Sequence, residues 1–483
     1  MGFGGDIAGE ATSVLIRVAI QVFAAIANVF ARLLGRPPKN IKKIAEKAEF
    51  EAKYPIANER VTSPKKHGVF FGRQYNKYII KPEDMDGHVL VVGGTGTGKS
   101  SCVAIPTLQT WQGSIFAVDI KGELHENTKT HRENIKVFDP CDQNGKYVYD
   151  PYFFLNHSTN HAQEARAIAE SIIPLPHDAR EPFWIESAQI ILTGAILHYH
   201  HAKYNFINTL KEIQSQNPQA LIALVASSPN DKAKLCVKSY TAMEGKVLAG
   251  ISAEISRGIS AITLDDDIIS VLSPDKNKET LSPVDLENKH DIYIKIPQHL
   301  LRQWKNFLTL MVNQFITFFE KRPESKDNRP ILFMLDEFPR LGKIPAITDA
   351  LATLRSKKIT VCLVAQSLAQ LEMIYGHDAR KVIADNCAFK AVLGATDADT
   401  QEYFSKLVGT YPKTTRTSSQ NFDPYVGAPT GHGASYAEDH EKRIIKPEEF
   451  AALKEIILLY PMPLNFCRVQ KQPHYHETKQ PSV

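Results

Sequence analysis

A glycine-rich segment, GGTGTGKSS, directly follows a short apolar run that ends at Val92. The segment matches G-x-x-x-x-G-K-[ST], a loop whose backbone N–H groups surround phosphates. Glycine is needed there because a Cβ would obstruct the approach of the backbone to the phosphate. The preceding run predicts a strand and the following residues predict a helix, which is the context that this motif requires. The segment is therefore predicted to bind a nucleotide through its phosphates.

The residue types in this loop have distinct chemical roles. Lys99 supplies a positive charge for the β and γ phosphates, and the Ser100 hydroxyl is a ligand for Mg²⁺. The helix that begins here directs its positive dipole end toward the same anion. The predicted nucleotide-binding residues are Gly93, Gly94, Thr95, Gly96, Thr97, Gly98, Lys99, Ser100 and Ser101.

A second apolar run, PILFMLDEF, ends in two carboxylates, Asp336 and Glu337. It predicts a buried strand with both acids at its end. Asp336 would hold Mg²⁺ through its water shell, and Glu337 would act as a general base on the attacking water. The metal site is therefore predicted at Ser100 and Asp336, and nucleotide hydrolysis is the favoured chemistry. The alternative is a solvated Asp-Glu pair on the surface.

Length and composition limit the kinds of protein that can position these residues. The chain has 483 residues, enough for roughly three folding units. Hydrophobic residues make up 43% and charged residues 23%, which excludes a wholly disordered, collagen-like or polytopic membrane protein. The six cysteines form no C-x-x-C pair, as expected in a reducing compartment.

The N-terminal residues have a different pattern, which predicts an amphipathic helix over residues 1–35. Three interpretations stay open: a helix on a membrane surface or against a partner, a span within an oligomer, or a soluble helix. From Arg36 to Pro82 the chain has twelve Lys or Arg against four Glu. This segment would attract anionic lipid or nucleic acid and keep the rest of the chain cytoplasmic, unless it is a solvated linker. Within residues 1–35, the polar positions recur at spacings of four and seven, which places them on one stripe of the predicted helix: Asp6, Glu10, Arg17, Gln21, Asn28 and Arg32.

The strand-type apolar runs stop after Val148 and return near Asp291, and the periodicity between them is helical. Residues 409–439 are rich in Thr, Ser, Gly and Pro, which predicts a long mobile loop, and the polar tail is expected to fray. The predicted organisation is the amphipathic helix 1–35, a basic linker and N-terminal part of the core 36–87, a nucleotide-binding domain in two parts, 88–155 and 281–472, an all-α insertion domain 156–280, and a tail 473–483.

Taken in order, these motifs resemble the coupling proteins of type IV secretion systems, the membrane-associated ATPases that hand conjugating DNA or effector proteins to a secretion channel. The resemblance covers most of Lys65 to Tyr475. Its carriers are HVLVVGGTGTGKSSCVAIPTLQTW, SIFAVDIKGEL, KVFDP, PFWIESAQIILTGAIL, DIYIKIP and LDEFPRLGKIPAITDALATLRSKKI.

The resemblance implies a fold, cofactors and partners. The fold is α/β, a RecA-like P-loop NTPase core with an inserted all-α domain, and the cofactors are ATP and Mg²⁺. Six subunits are expected to form a ring on the cytoplasmic face of the bacterial inner membrane. The implied partners are single-stranded DNA with its relaxase, or effector proteins, and the components of a type IV secretion channel.

The resemblance also assigns roles to two further residues. Gln366, at the end of the next apolar strand, matches a polar residue that senses the γ-phosphate; the alternative is an amide that caps a turn. Arg355 matches an arginine that reaches into the neighbouring subunit's site; the alternative is a cation at a helix end. Together with Glu337 they form the predicted catalytic set. The segment DIKGE is characteristic of the family, but the sequence assigns no chemical role to its Asp119 or Lys121.

Two other functions are compatible with the same motifs. One is a nucleotide-gated docking scaffold, in which ATP binding assembles the ring and recruits cargo without sustained pumping. The other is a soluble DNA translocase of the chromosome-partitioning or packaging kind. The helical insertion and the DIKGE segment argue against the second.

Overall fold

The computed structural model describes residues 47, 49–142, 144–412, 415–422, 429–437, 441–461 and 465–479. The amphipathic helix predicted for residues 1–35 lies outside the described residues. The chain divides into two compact units, one containing Met1–Pro55 and Thr410–Ile444 and the other containing Ile56–Gly409 and Ile445–Val483.

Strands in the described part of the chain are numbered here in chain order. They are β1 Thr62–Ser63, β2 Val69–Gln74, β3 Lys77–Lys81, β4 Val89–Gly93, β5 Ser114–Asp119, β6 Ile135–Phe138, β7 Tyr147–Tyr149, β8 Glu279–Leu281, β9 Asp291–Lys295, β10 Ile331–Leu335, β11 Ile359–Ala365, β12 Phe389–Gly394, β13 Thr410–Pro412, β14 Thr415–Phe422, β15 Pro429–Ala437, β16 Glu441–Arg443, β17 Glu455–Tyr460 and β18 Asn465–Gln470.

Twelve of these strands form one sheet in the larger unit, in the order β1-β3-β2-β18-β17-β12-β4-β11-β10-β5-β9-β6. The seven strands from β12 to β6 run parallel. The remaining five extend the sheet with antiparallel pairs, and β17 and β18 join the parallel part to β2.

Parallel strands need cover on both faces, and their side chains are accordingly apolar without alternation. Every residue of β4, β5, β10 and β11 is buried. Helix Leu301–Glu320 covers part of one face, where the rings of Phe315 and Phe116 have centroids 4.6 Å apart. This buried sheet is the rigid support for the loops at its edges.

Helical segments connect the strands. The α-helices are Ile105–Thr110, Glu123–Thr128, Phe153–His157, His161–Ile172, Pro182–His201, Phe206–Ser215, Pro218–Ala226, Asp231–Val237, Gly245–Thr263, Asp266–Leu272, Val284–Glu287, Leu301–Glu320, Ile347–Thr353, Leu368–Tyr375, His377–Asn386 and Ala398–Val408. A π-helix covers Lys99–Ala104. Short 3-10 helices cover Glu59–Val61, Lys238–Tyr240, Phe338–Leu341, Leu354–Lys357, Pro447–Ala452 and His474–Lys479.

Residues between β7 and β8 are helical, in agreement with the 3.6-residue periodicity of the sequence. Asn205, Asn217 and Asp265 each begin a helix here by accepting a backbone N–H with the side chain. The division into a separate insertion domain, 156–280, stays a prediction, because these helices and the sheet group into the same compact unit.

The structure corrects two expectations about the C-terminal third. Residues 409–439, interpreted as a loop, contain the antiparallel pair β14 and β15, and β13 pairs with β16. The hydrogen bonds that pair two strands come from the backbone, so a segment rich in Ser and Thr can form strands without an apolar period. The tail is also ordered in part, because a 3-10 helix begins at His474.

Among the described residues, no single helix has the length and hydropathy of a membrane span. The helices Gly245–Thr263 and Asp266–Leu272 meet those criteria only as a pair, and they are bent by 81° at the break between them.

Candidate nucleotide-hydrolysis site

The predicted site residues gather at one edge of the sheet. Strands β4, β5, β10 and β11 are parallel neighbours, so their carboxyl ends lie side by side. The glycine-rich loop follows β4, the two carboxylates follow β10, and Gln366 follows β11. Ligands of open α/β sheets bind at this edge because the loops that leave the strands converge there.

The loop conformation explains its glycines. Gly96 and Gly98 have φ values of +78° and +97°, which residues with a Cβ adopt at a cost. Gly98 directly precedes the π-helix that starts at Lys99. The loop is closed by Thr97, whose Oγ1 donates to the carbonyl oxygen of Gly94 at 2.8 Å.

Lys99 is buried against its own loop. Its Nζ donates to the carbonyl oxygens of Gly93 at 2.7 Å and Gly94 at 3.1 Å. Burial lowers the pKa of this ammonium, and the nearby carboxylates of Glu337 and Asp336 oppose that shift. The ammonium is therefore held within the loop to which the motif assigns phosphate binding.

Asp336 faces the start of the helix. The Ser100 Oγ lies 3.5 Å from its Oδ2, and the backbone N–H of Glu337 donates to its Oδ1 at 3.1 Å. Burial, followed by the charge of Glu337, raises the pKa of Asp336 to about 6. A hydroxyl and a buried carboxylate are the oxygen ligands that Mg²⁺ prefers, so this pair fits the predicted metal site.

Glu337 is held on both of its oxygens. Gln366 Nε2 donates to Oε2 at 3.0 Å, and the Lys121 Nζ lies 3.7 Å from Oε1. The backbone of Glu337 has φ +50°, a left-handed conformation that is unfavourable for a side chain of this size. Such strain is concentrated at functional sites, where the surrounding contacts maintain it.

Arg355 lies apart from the other predicted residues. It is exposed in the 3-10 helix Leu354–Lys357, which precedes β11, whereas Gln366 follows that strand. The seven residues of β11 separate the two ends by roughly 20 Å, at about 3.3 Å per residue. Within one subunit, Arg355 therefore does not reach the edge that carries Glu337.

Two parts of the site were not predicted from the sequence. Lys121, which had no assigned role, contacts Glu337. A cleft of about 410 Å³ also lies beside the loop. Residues of the C-terminal tail, which was expected to fray, form part of its lining. His474 contacts the Ser101 carbonyl oxygen at 3.3 Å. The cleft is lined by loop residues and by Leu393, Gly394, Ala451, Leu453, Lys471, Pro473 and Tyr475.

The family model described as "Type IV secretory system Conjugative DNA transfer" matches residues 39–460. The chain belongs to this family. The predicted membership is thus confirmed, and it rests on a match that includes the glycine-rich loop, both carboxylates and β17.

Curated relatives in the family are longer than this chain. VirD4 of Agrobacterium fabrum is 26% identical over 402 residues, which cover 80% of this chain and 58% of VirD4. VirD4 of Rhizobium radiobacter is 25% identical over 492 residues, covering 97% of this chain and 69% of that protein. TraG of Escherichia coli is 27% identical over 359 residues, covering 67% and 55%. The chain thus spans little more than half the length of most of these relatives.

Solved structures agree with the fold. The plasmid coupling protein TrwB, in complex with the ATP analogue ADPNP, superposes with a TM-score of 0.67 at 18% identity, over 87% of this chain and 92% of TrwB. TrwB with ADP and Mg²⁺ gives a TM-score of 0.65 at 17% identity, over 86% and 91%. The predicted α/β fold with a RecA-like P-loop core is thereby confirmed.

Proposed function

We propose that this protein is a Mg·ATP-hydrolysing coupling protein of a type IV secretion system. It would recruit relaxase-bound single-stranded DNA, or effector proteins, and drive them to the channel as a hexameric ring on the cytoplasmic face of the inner membrane. The observation that carries the proposal is the joint placement of Lys99, Ser100, Asp336 and Glu337 at one sheet edge. Family membership and the nucleotide complexes of TrwB support the same conclusion.

Each residue has a distinct task in this proposal. The backbone of the loop and the Lys99 ammonium bind the phosphates, while Ser100 and Asp336 hold Mg²⁺. The metal, when bound, neutralises charge on the phosphate oxygens. Glu337 accepts a proton from the attacking water, and Gln366 keeps its carboxylate oriented through the 3.0 Å hydrogen bond.

The base of the nucleotide would enter the cleft beside the loop. Leu453 and Pro473 supply apolar surface there, and the Tyr475 ring is half exposed at its edge. The cleft combines these apolar surfaces with polar groups of the loop and of Lys471, and such a mixed lining can hold a flat, weakly polar base. This arrangement gives the C-terminal 3-10 helix a role in nucleotide binding.

The position of Arg355 supports assembly of the active unit from several subunits. Because the arginine lies at the sheet edge opposite its own loop, it is available to the site of an adjacent copy. An arginine supplied in trans stabilises the negative charge that develops on the transferred phosphoryl group. We therefore propose that turnover requires the ring.

The decisive experiment is ATP hydrolysis by the purified protein, with and without single-stranded DNA, over a salt series. We expect turnover that DNA stimulates, with stimulation that weakens as salt rises because the contacts are to the phosphate backbone. Near-zero turnover together with nucleotide-dependent assembly would contradict the motor and support the docking scaffold instead. Equal turnover with and without DNA would argue against DNA as the cargo.

A further inference from the structure

Lys121 occupies a position from which its charge acts on the predicted general base. Its Nζ lies 3.7 Å from Oε1 of Glu337, whose side chain is 5% exposed while that of Lys121 is 35% exposed. Among the described residues, no acidic side chain other than Glu337 lies within 4 Å of this ammonium. A cation that contacts a buried carboxylate from the solvent side can orient it without being buried itself.

The backbone around Lys121 is fixed by the preceding strand. Asp119 is the last residue of β5, and its Oδ2 accepts the backbone N–H of His125 at 2.8 Å, within helix Glu123–Thr128. Gly122, with φ +73°, makes the turn between strand and helix. Asp119 and Gly122 thus hold the turn that presents Lys121 to the adjacent end of β10.

Glu337 needs such a partner for electrostatic and steric reasons. Its neighbour Asp336 carries the same charge, and its own backbone is in the left-handed region. Gln366 fixes only one carboxylate oxygen. A contact on the other oxygen restricts rotation about the last side-chain bond, so that the carboxylate keeps one orientation toward the water it would deprotonate.

We propose that Lys121 is a positioning residue for Glu337, which it clamps together with Gln366 in the orientation needed for proton abstraction. This inference rests on the proposed hydrolytic function. It assigns a role to the DIKGE segment: Asp119 and Gly122 shape the turn, and Lys121 acts on the base. A positioning role predicts an effect on the chemical step and none on nucleotide affinity.

The test compares three variants in single-turnover hydrolysis of radiolabelled ATP and in binding of Mg·ADP. Lys121→Met removes the charge, and Lys121→Arg retains it. Lys295→Met is the matched control, because Lys295 is 32% exposed at the end of the neighbouring strand β9 but pairs with Asp139 at 3.1 Å. We expect Lys121→Met to hydrolyse ATP about tenfold or more slowly, because it loses part of the general-base contribution to the rate. Its affinity for Mg·ADP should stay within about twofold of that of the wild type. Lys121→Arg should recover most of the rate, and Lys295→Met should match the wild type.

A double variant separates positioning from direct phosphate binding. In a Glu337→Gln background, Lys121→Met should cause no further loss of rate if the lysine acts only through Glu337. A parallel loss of ATP and ADP affinity, or an additional loss of rate in that background, would overturn the positioning role. If the wild type binds nucleotide without hydrolysing it, the proposed function fails and the positioning role fails with it. An active wild type with an unaffected Lys121→Met refutes the positioning role alone.

Discussion

The side-chain amide of Gln366 donates to Oε2 of Glu337 at 3.0 Å and thereby links the carboxyl ends of β11 and β10. The amide of Gln370 approaches Oε1 of Gln366 at 3.4 Å, which extends the link into helix Leu368–Tyr375. Two hydrogen bonds in series therefore connect Glu337 to that helix. This places the predicted phosphate sensor and the predicted base in direct contact.

Substitution of Lys99 and of Glu337 should have different effects on the nucleotide cycle. Lys99→Ala removes the charge that neutralises the phosphates, so both binding and turnover should be lost. Glu337→Gln keeps the loop intact and should bind ATP while hydrolysing it about 100-fold or more slowly. Equilibrium binding of a fluorescent ATP analogue and release of phosphate distinguish the two. Hydrolysis by Glu337→Gln at the wild-type rate would show that another group is the base.

Mixing inactive subunits tests the proposed role of Arg355 in trans. Arg355→Ala and Glu337→Gln should each be inactive alone, yet mixed rings should regain part of the activity because some interfaces combine an intact arginine with an intact base. Phosphate release is measured across mixing ratios, with co-assembly checked by size-exclusion chromatography. Lys358→Ala changes another cation, directly after the 3-10 helix that contains Arg355 and before β11, and is the control. Co-assembled mixtures without any recovery would leave Arg355 as a helix-end cation.

The cleft beside the loop should contribute to affinity and not to chemistry. Tyr475→Ala should weaken binding of ATP by about fivefold to 100-fold, since stacking on an aromatic ring is worth about 1–3 kcal/mol per base and 1.4 kcal/mol is about tenfold in affinity. Its maximal rate should stay near that of the wild type. Tyr75→Ala changes another exposed tyrosine, in the turn between β2 and β3, and serves as the control. Equal affinities of Tyr475→Ala and Tyr75→Ala for ATP would show that the nucleotide base binds elsewhere.

Buried His88 should make stability depend on pH. Burial lowers its pKa from 6.5 to about 3, and the ring bonds the backbone of Leu351 at 2.8 Å and of Val361 at 3.0 Å. As the pH falls, the unfolded state therefore binds the proton at a higher pH than the folded state does. The contribution of neutral His88 to the free energy of unfolding is complete above pH 6.5 and is lost as the pH falls toward 3. The slope is about 1.4 kcal/mol per pH unit. Urea unfolding from pH 7 to 4.5 should show a shallower dependence for His88→Gln than for the wild type; identical slopes would contradict this assignment.

Membrane association is tested by removing residues 1–35, the predicted amphipathic helix. The truncated protein should be more soluble and should still bind nucleotide, because the loop and Asp336 belong to the folded sheet. The full chain should float with anionic vesicles at low and high salt, since burial of apolar surface is not screened. The truncated chain should float at low salt only, through its basic segment. Identical flotation of both proteins at both salt concentrations would support a soluble helix.

The sequence predicted those parts of the fold that depend on local patterns. The apolar runs before Gly93 and Asp336 correspond to the buried strands β4 and β10, and the segment with helical periodicity between β7 and β8 contains the helices. Lys121 was missed as a site residue because its contact with Glu337 joins positions more than 200 residues apart in the chain. The hairpin β14–β15 was missed because Ser and Thr residues give no apolar alternation.

The central position of β4 has a consequence for synthesis on the ribosome. Both of its neighbours, β11 and β12, come much later in the chain, and the hydrogen bond between His88 and Val361 joins residues 273 positions apart. At a synthesis rate of roughly 5–20 residues per second, the strands that hold the glycine-rich loop in place are made on the order of tens of seconds after the loop itself. During that interval the apolar β4 has two unpaired edges, which favours aggregation. We therefore expect the nascent chain to need a chaperone until β12 has emerged.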